Sequence, residues 1–291
     1  MPGGANASSE IAELHESGNG GEVPGHRPAY GRFNMTAWPS ESIIIMHVSS
    51  FGPQDGSPVL LLHGGGVAGW MWKSLRGRLE SEYKVLVPDL PGHGQSADEP
   101  YRSHTETVDV LRQVLSCGGS TPAAVIGFSL GAQLTIELAS KYPELVDRAM
   151  VVSAQAKAMP FTGLILRALG AAAPLARNRR FARVQARELF VPPELMEDYI
   201  HTSAHISKAT LLAAVGDNMR FELPAAWSEF RGPALVMVGR RERALMRDSA
   251  AVIHTALPAS EIEIVNGCGH GIPLERPDWF NGRVAGWLPR Q

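Results

Sequence analysis

The hydrophobic positions of this chain fall into two kinds of segment that alternate through most of its length. One kind is a short run without polar residues, such as Val59–Leu62 and Ala234–Val238. Such runs are expected of strands that are buried on both faces of a parallel sheet. The other kind is longer and has helical spacing, as in Leu130, Leu134 and Leu138, which lie four residues apart. We therefore predict an α/β fold in which a mostly parallel central sheet is flanked by helices.

The same patterns place the individual elements. The predicted strands are Arg32–Trp38, Ile43–Val48, Val59–Leu62, Val85–Asp89, a run that ends at Phe128, Asp147–Ser153, Ala234–Val238 and Glu261–Val265. The helices predicted between these strands and after the last one are Trp70–Glu80, a helix that starts near Ser103, the helix after Ser129, Met246–Leu257 and Pro277–Trp287.

The alternation is interrupted between Gln155 and Glu229, where the pattern is helical and contains no strand. An all-helical insertion after one strand of a parallel sheet would lie over the strand ends and could act as a lid. We therefore predict a division into an α/β core over 29–154 and 230–291 and a helical cap over 155–229. Residues 1–28 are rich in Gly, Ser, Glu and Pro, and we expect a disordered leader there. The helices predicted in the cap are Pro160–Leu169, Arg179–Leu189, Pro193–Ser203 and Ser207–Met219.

One predicted strand leads directly into the sequence Gly127-Phe128-Ser129-Leu130-Gly131 and then into a helix. A Gly-x-Ser-x-Gly pattern at a sharp strand–turn–helix junction projects the serine beyond the edge of the sheet. The glycines leave room where strand and helix crowd together. The free N–H groups at the start of the helix point towards whatever the serine attacks. Ser129 is therefore the candidate nucleophile.

A serine hydroxyl needs a base to take its proton and a carboxylate to orient that base. His270 follows the last predicted strand in a glycine-rich loop and is the best candidate for the base, the alternative being an ordinary loop histidine. Glu242 is the only carboxylate in the loop Gly239–Arg243, which follows another predicted strand. It is either the acid of a triad or a surface glutamate that balances the neighbouring arginines.

The negative oxygen of an acyl-transfer intermediate needs two backbone N–H donors. The candidates for this oxyanion hole are the N–H groups of Leu130, next to the serine, and of Gly65, in the turn after Val59–Leu62. The alternative for Gly64–Gly66 is a tight turn without function. A phosphate cradle is not indicated, because no Gly-Lys-Ser/Thr follows. Three polar residues nearby are expected to hold loops: His63, His93 and Asp89.

Composition and charge restrict the expected partners. The net charge of -2 and the pI of about 6.6 give no reason to expect nucleic acid or an anionic membrane, so we expect a small-molecule substrate. Arginines cluster between Arg167 and Arg187, which fits either a solvated helix face or the attraction of an acidic partner. Cys117 and Cys268 predict no disulfide framework, and no ligand spacing indicates a metal or a cofactor. The absence of signal-peptide and membrane-span patterns favours the cytoplasm, while monomer and dimer both stay open.

These motifs together resemble the α/β-hydrolase family over about residues 32 to 289. The resemblance implies that Ser129 is the nucleophile, that His270 is the base, and that residues 155–229 are the cap. It also implies that the N–H groups of Gly65 and Leu130 form the oxyanion hole. The four segments that carry it, in the family's order, are His63-Gly64-Gly65-Gly66, Pro88-Asp89-Leu90-Pro91-Gly92-His93-Gly94-Gln95-Ser96, Gly127-Phe128-Ser129-Leu130-Gly131 and Gly267-Cys268-Gly269-His270.

The chain departs from the family at the acid. The family usually has an aspartate in Gly-x-x-Asp, whereas this chain has Gly239-Arg240-Arg241-Glu242. The glutamate side chain is longer by a methylene, so the loop that carries it must sit differently.

The resemblance leads us to expect a serine hydrolase that cleaves a carboxylic ester, lactone or thioester of a small, largely apolar molecule without a cofactor. Two alternatives stay open. One is a non-hydrolytic enzyme of the same fold, such as a cyclase or lyase in small-molecule biosynthesis, and the other is a ligand-binding member without turnover. The cap is expected to supply the substrate pocket, and the candidate substrate-binding residues are Phe128, Phe161, Leu164 and Met219.

Overall fold

The computed structural model describes residues 29–31, 46–117 and 121–289. Strands and helices alternate along most of this part of the chain. The strands are β1 (Ala29–Gly31), β2 (Val48–Phe51), β3 (Pro58–Leu62), β4 (Lys84–Pro88), β5 (Ala123–Phe128), β6 (Val146–Val152), β7 (Ala234–Gly239) and β8 (Glu261–Val265). The α-helices are α1 (Lys73–Leu79), α2 (His104–Cys117), α3 (Leu130–Lys141), α4 (Thr162–Ala172), α5 (Arg179–Glu188), α6 (Met196–His205), α7 (Lys208–Arg220), α8 (Ala244–Ala256), α9 (Ile272–Glu275) and α10 (Pro277–Trp287).

In the described residues, eight strands form one sheet in the order β1-β2-β4-β3-β5-β6-β7-β8. β2 is antiparallel to β1 and β4, and every other pair of neighbours is parallel. The carboxyl ends of the parallel strands therefore lie side by side, with Leu62 paired to Gly127 and Phe128 paired to Val152. The prediction of a mostly parallel sheet flanked by helices is confirmed.

Apolar side chains pack on both faces of the sheet. One face is covered by α2, α3 and α8, and the other by α1 and α10. On the second face Trp72 stacks on Phe280, with ring centroids 6.2 Å apart. On the first face the indole N–H of Trp227 donates to the carbonyl oxygen of Ile253 at 3.1 Å. Because the inner strands are buried on both sides, their sequences are uninterrupted apolar runs.

Some predicted elements differ from the structure or fall outside it. The strand predicted over Arg32–Trp38 and the leader over 1–28 lie outside the described residues. Of Ile43–Val48 only the end is described, and the strand there runs over Val48–Phe51, because antiparallel pairing with β4 sets its position. The helix α9 was not predicted, since a single turn is too short to show a helical period.

Between β6 and β7 the described chain contains helices and no strand, namely α4 to α7 and short 3-10 turns. α4 packs against α7, and α5 packs against α6. The residue bounds assigned to core and cap remain a prediction. Within the residues that the structure describes, no helix is both long and apolar enough to cross a membrane.

The junction of β5 and α3 is a close contact between sheet and helix. A Cβ atom added to Gly131 would lie 2.2 Å from the carbonyl oxygen of Leu62 in β3. A Cβ atom added to Gly127 would lie 2.2 Å from the carbonyl oxygen of Gly131. The two glycines therefore let α3 begin directly against the strands, and Ser129, midway between them, is held at the carboxyl end of the sheet.

We predict that Gly131→Ala lowers the free energy of unfolding by about 2–3 kcal/mol, because the backbones of β3 and α3 would have to separate. The control is Gly282→Ala in the exposed part of α10, where the new methyl group meets no atom within 4 Å. That variant should be neutral or more stable by up to about 1 kcal/mol. Urea denaturation followed by tryptophan fluorescence measures both, and equal midpoints for the two variants would contradict this description of the junction.

Candidate active site

Ser129 lies on a strained turn at the carboxyl end of β5. Its backbone has φ 54° and ψ -111°, a conformation that a residue with a side chain rarely adopts. The N–H of Ser129 donates to the carbonyl oxygen of Val152, the last residue of β6, at 2.9 Å. Leu130 begins α3 immediately afterwards. The turn therefore holds the serine at the carboxyl end of the parallel strands, beside the start of a helix.

The structure brings Ser129, His270 and Glu242 together in the order of a triad. His270 Nε2 lies 3.1 Å from the Oγ of Ser129. On the other side of the ring, Nδ1 lies 2.8 Å from Oε2 of Glu242. A proton on Nδ1 is donated to the carboxylate, and Nε2 is then free to accept the proton of the serine hydroxyl.

Three donors hold the carboxylate of Glu242, whose side chain is only 1% exposed. Oε2 accepts from His270, as described above. Oε1 accepts from the hydroxyl of Ser153 at 2.7 Å and from the N–H of Gly239 at 2.8 Å. Because both donors on Oε1 are fixed in the protein, the other oxygen is aimed at the imidazole. This arrangement accommodates a glutamate where the family usually has an aspartate.

Ser153 was not singled out from the sequence. It directly follows β6, is 1% exposed, and has a positive φ of 56°. Its hydroxyl also lies 3.2 Å from the carbonyl oxygen of His270. One sequence signal could have identified Ser153. It is a residue with a hydroxyl group at the end of the strand that neighbours the loop of Glu242.

The loop before α8 and the loop before α9 are bound to each other. The N–H of Arg241 donates to the carbonyl oxygen of Cys268 at 2.9 Å. A Cβ atom on Gly239 would lie 2.3 Å from the carbonyl oxygen of Gly269, so only glycine allows this approach. The close packing of the two loops fixes the distance between the carboxylate and the imidazole.

The turn after β3 is held by a buried histidine. His63 donates from Nδ1 to the carbonyl oxygen of Gly64 at 2.8 Å, and its Nε2 accepts from the N–H of Leu90 at 2.9 Å. Burial lowers the pKa of His63 to about 4, so the ring keeps the neutral form that these two bonds require. The ring thereby fixes the turn that contains Gly65.

The next loop is held in a similar way. The carboxylate of Asp89 accepts from the N–H of Gly69 at 2.7 Å and from the N–H of Gln95 at 2.8 Å. His93 Nδ1 lies 2.9 Å from the carbonyl oxygen of Pro91, and burial lowers the pKa of this imidazole to about 4. These contacts agree with the expectation that the two side chains hold their loops.

Ser129 opens into a cavity of about 650 Å³. Gly65 and Leu130, whose N–H groups are the predicted oxyanion donors, line the same cavity. The helices between β6 and β7 cover it from the other side, mainly with apolar side chains. Among the residues that the structure describes, no group of three His, Cys, Asp or Glu side chains could hold a metal ion. Apolar residues of the cavity wall include Leu169, Phe181, Leu211 and Val215.

The four residues predicted from the sequence to bind substrate do not line this cavity. Phe128 is buried against the ring of His270, with centroids 5.1 Å apart. Met219 is buried, and its carbonyl oxygen accepts from the N–H of Met159. Phe161 is 79% exposed and Leu164 is 68% exposed. Apart from Thr162 and Arg167, α4 consists of apolar residues and glycine, so its spacing does not reveal which face turns inward. The role of the four residues in substrate binding stays a prediction.

The sequence profile of the alpha/beta hydrolase family matches residues 59–283. The chain belongs to the α/β-hydrolase family. Two relatives that carry different names are similar to most of this chain. The magnesium-chelatase 30 kDa subunit of Rhodobacter capsulatus is 28% identical over 259 residues, which cover 81% of this chain and 88% of that protein. The 2-hydroxymuconate semialdehyde hydrolase of Pseudomonas putida is 27% identical over 247 residues, which cover 80% of this chain and 88% of that protein.

Solved structures share the same α/β-hydrolase fold. The esterase EaEST from Exiguobacterium antarcticum superposes with a TM-score of 0.72 at 20% identity, over 84% of this chain and 95% of that chain. The enol-lactonase from Burkholderia xenovorans LB400 superposes with a TM-score of 0.70 at 18% identity, over 84% of this chain and 96% of that chain. At these identities the likeness establishes the fold alone.

We predict that Ser153→Ala and Ser153→Gly each lower kcat for p-nitrophenyl butyrate about tenfold with little change in KM, because both remove a donor to Glu242.

The two variants control for each other. Glycine adopts the positive φ of position 153 without strain, so Ser153→Gly should be more stable than Ser153→Ala while losing as much activity. If Ser153→Gly keeps the kcat of the natural protein, the hydroxyl does not position the acid.

Proposed function

We propose that this protein is a serine hydrolase that cleaves a carboxylic ester, lactone or thioester of a small, largely apolar molecule. The observation that carries the proposal is the pair of hydrogen bonds on the imidazole of His270. One bond joins it to Ser129 at 3.1 Å and the other joins it to Glu242 at 2.8 Å. Nucleophile, base and orienting acid are therefore already within hydrogen-bond reach of one another.

In the proposed acylation step, the Oγ of Ser129 attacks the carbonyl carbon of the substrate while His270 Nε2 takes the hydroxyl proton. The carbonyl oxygen becomes negative and accepts hydrogen bonds from the N–H groups of Leu130 and Gly65. Glu242 stabilises the imidazolium cation that forms beside it. His270 then gives the proton to the leaving alcohol or thiol, and the acyl group stays on Ser129 as an ester.

The second step reverses these roles with water. His270 takes a proton from a water molecule, and the resulting hydroxide attacks the acyl group. The same two N–H groups hold the negative oxygen, and His270 returns the proton to the Oγ of Ser129. The carboxylic acid is released, so each cycle consumes one water molecule and restores the side chains.

The cavity supports an apolar substrate. Its wall is mainly aliphatic and aromatic, and a wall of this kind favours an acyl chain through burial of apolar surface. The family contains proteins named as an esterase and an enol-lactonase among the similar structures, and a semialdehyde hydrolase among the relatives. These names support a reaction at a carbonyl carbon and leave the identity of the acid open to a substrate screen.

A fluorophosphonate probe should label Ser129 covalently, and Ser129→Ala should abolish both the label and the hydrolysis of p-nitrophenyl butyrate. The matched control is Ser140→Ala on the same helix, whose hydroxyl bonds the carbonyl oxygen of Ile136. This variant should be labelled at the natural rate. Peptide mass spectrometry locates the label.

The outcomes separate the alternatives. Labelling without hydrolysis of any ester, lactone or thioester favours a cyclase or lyase that uses the same serine. No labelling of a folded protein contradicts the serine-hydrolase mechanism and favours a ligand-binding member of the family.

A further inference from the structure

The mainly apolar cavity wall also contains polar residues, of which Gln185, Glu188 and Lys208 are exposed. On the helices that cover the cavity, two polar side-chain atoms belong to less exposed residues. They are the hydroxyl of Tyr199 on α6 and Oδ1 of Asn218 on α7, and both residues line the cavity wall. Within the described residues neither atom has a hydrogen-bond partner, and neither is among the fully enclosed polar atoms. Each atom therefore keeps some accessible surface, and each belongs to a residue of the cavity wall.

The orientation of the Asn218 amide is fixed by Gln133, which is completely buried. Gln133 Nε2 lies 2.8 Å from the carbonyl oxygen of Gln155 and 3.1 Å from that of Asn218. Carbonyl oxygens only accept, so the NH₂ group of Gln133 must face them, and its Oε1 must face the other way. Asn218 Nδ2 donates to that Oε1 at 3.1 Å. Oδ1 of Asn218 is consequently the atom left over, and it can only accept.

Gln133 connects this acceptor to the turn that carries Ser129. Gln133 lies in the first turn of α3, where its backbone N–H donates to the carbonyl oxygen of Ser129 at 3.2 Å. One helical turn corresponds to about 5.4 Å along the axis. The amide that fixes Asn218 therefore belongs to the residue one turn beyond the serine.

The hydroxyl of Tyr199 is a hydrogen-bond donor on a ring that is held by packing. The residue is 4% exposed, and burial raises the pKa of its phenol to about 12, so the proton stays on the oxygen at neutral pH. The ring packs edge-on against Trp70, with centroids 6.4 Å apart. The indole N–H of Trp70 donates to the hydroxyl of Thr202 at 3.0 Å, which ties α6 to the core.

We propose that the substrate carries, on the part that fills this cavity, polar groups that donate and accept hydrogen bonds, such as a hydroxyl or a secondary amide. Asn218 Oδ1 accepts a proton from such a group, and the Tyr199 hydroxyl donates to the oxygen of such a group. The inference rests on the proposed hydrolysis at Ser129 and specifies its substrate class. A plain hydrocarbon chain would leave both atoms without partners and away from water, which is unfavourable.

The test compares matched methyl esters, with the acid product quantified by mass spectrometry. Methyl 3-hydroxyoctanoate is compared with methyl octanoate, and the methyl ester of N-hexanoylglycine with methyl nonanoate, which has the same chain length. At least one functionalised ester should have a kcat/KM about tenfold or more above that of its plain partner. The pair with the larger ratio tells whether the recognised group is a hydroxyl or an amide.

Asn218→Leu and Tyr199→Phe should each reduce this preference to within about threefold of unity. Tyr199→Phe is the cleaner variant, because it removes one oxygen without disturbing Gln133. The matched control is Tyr142→Phe, which removes a hydroxyl that bonds Asp109 at 2.6 Å and does not line the cavity. The control should keep the preference of the natural protein.

Equal kcat/KM values for plain and functionalised esters in the natural protein would overturn this inference while leaving the proposed hydrolase intact. A preference that survives both Asn218→Leu and Tyr199→Phe would overturn it as well. If Ser129 takes no fluorophosphonate label and none of the four esters is hydrolysed, the proposed function itself fails, and the inference falls with it.

Discussion

The buried carboxylate of Glu242 is the constraint on which the site depends. A carboxylate removed from water is costly unless donors reach its oxygens. Here the donors come from the ends of three strands, with Ser153 after β6, Gly239 at the end of β7 and His270 after β8. Satisfying one side chain therefore fixes three loops relative to one another at the same edge of the sheet. The position of the imidazole follows from this arrangement.

The proposed nucleophile, Ser129, is positioned by a separate set of contacts at the same end of the sheet. Ser129 is held at a positive φ by its bond to Val152 and by the close approach of α3 to β3 at Gly131. The strain of that turn persists because the surrounding packing leaves it no alternative. His270 hydrogen-bonds both Glu242 and Ser129, and its ring also packs on Phe128. A residue that links the two sides in this way suits the proposed transfer of a proton in both directions.

The sequence predicts the core of this arrangement because its signals are local. Apolar runs mark the strands, and chain order places Ser129, Glu242 and His270 at strand ends on the same side of the sheet, where the structure brings them together. Local signals do not identify Ser153, Tyr199 and Asn218, because their roles arise from contacts between segments that are distant in the sequence. The residues that line the cavity are hard to predict for a related reason. In a helix such as α4, which is apolar except at Thr162 and Arg167, the spacing does not reveal which face covers a cavity.

The most direct test of the central claim, that Glu242 orients His270, is the kcat of Glu242→Gln for an ester that the natural protein hydrolyses. The N–H of Gly239 only donates, so the amide oxygen of the glutamine must face it and the NH₂ group must face His270. Nδ1 then has to accept, and the proton moves to Nε2, which can no longer take the proton of Ser129. We predict a fall in kcat of roughly 10³-fold or more with a similar KM. A kcat within about twofold of that of the natural protein would contradict the account.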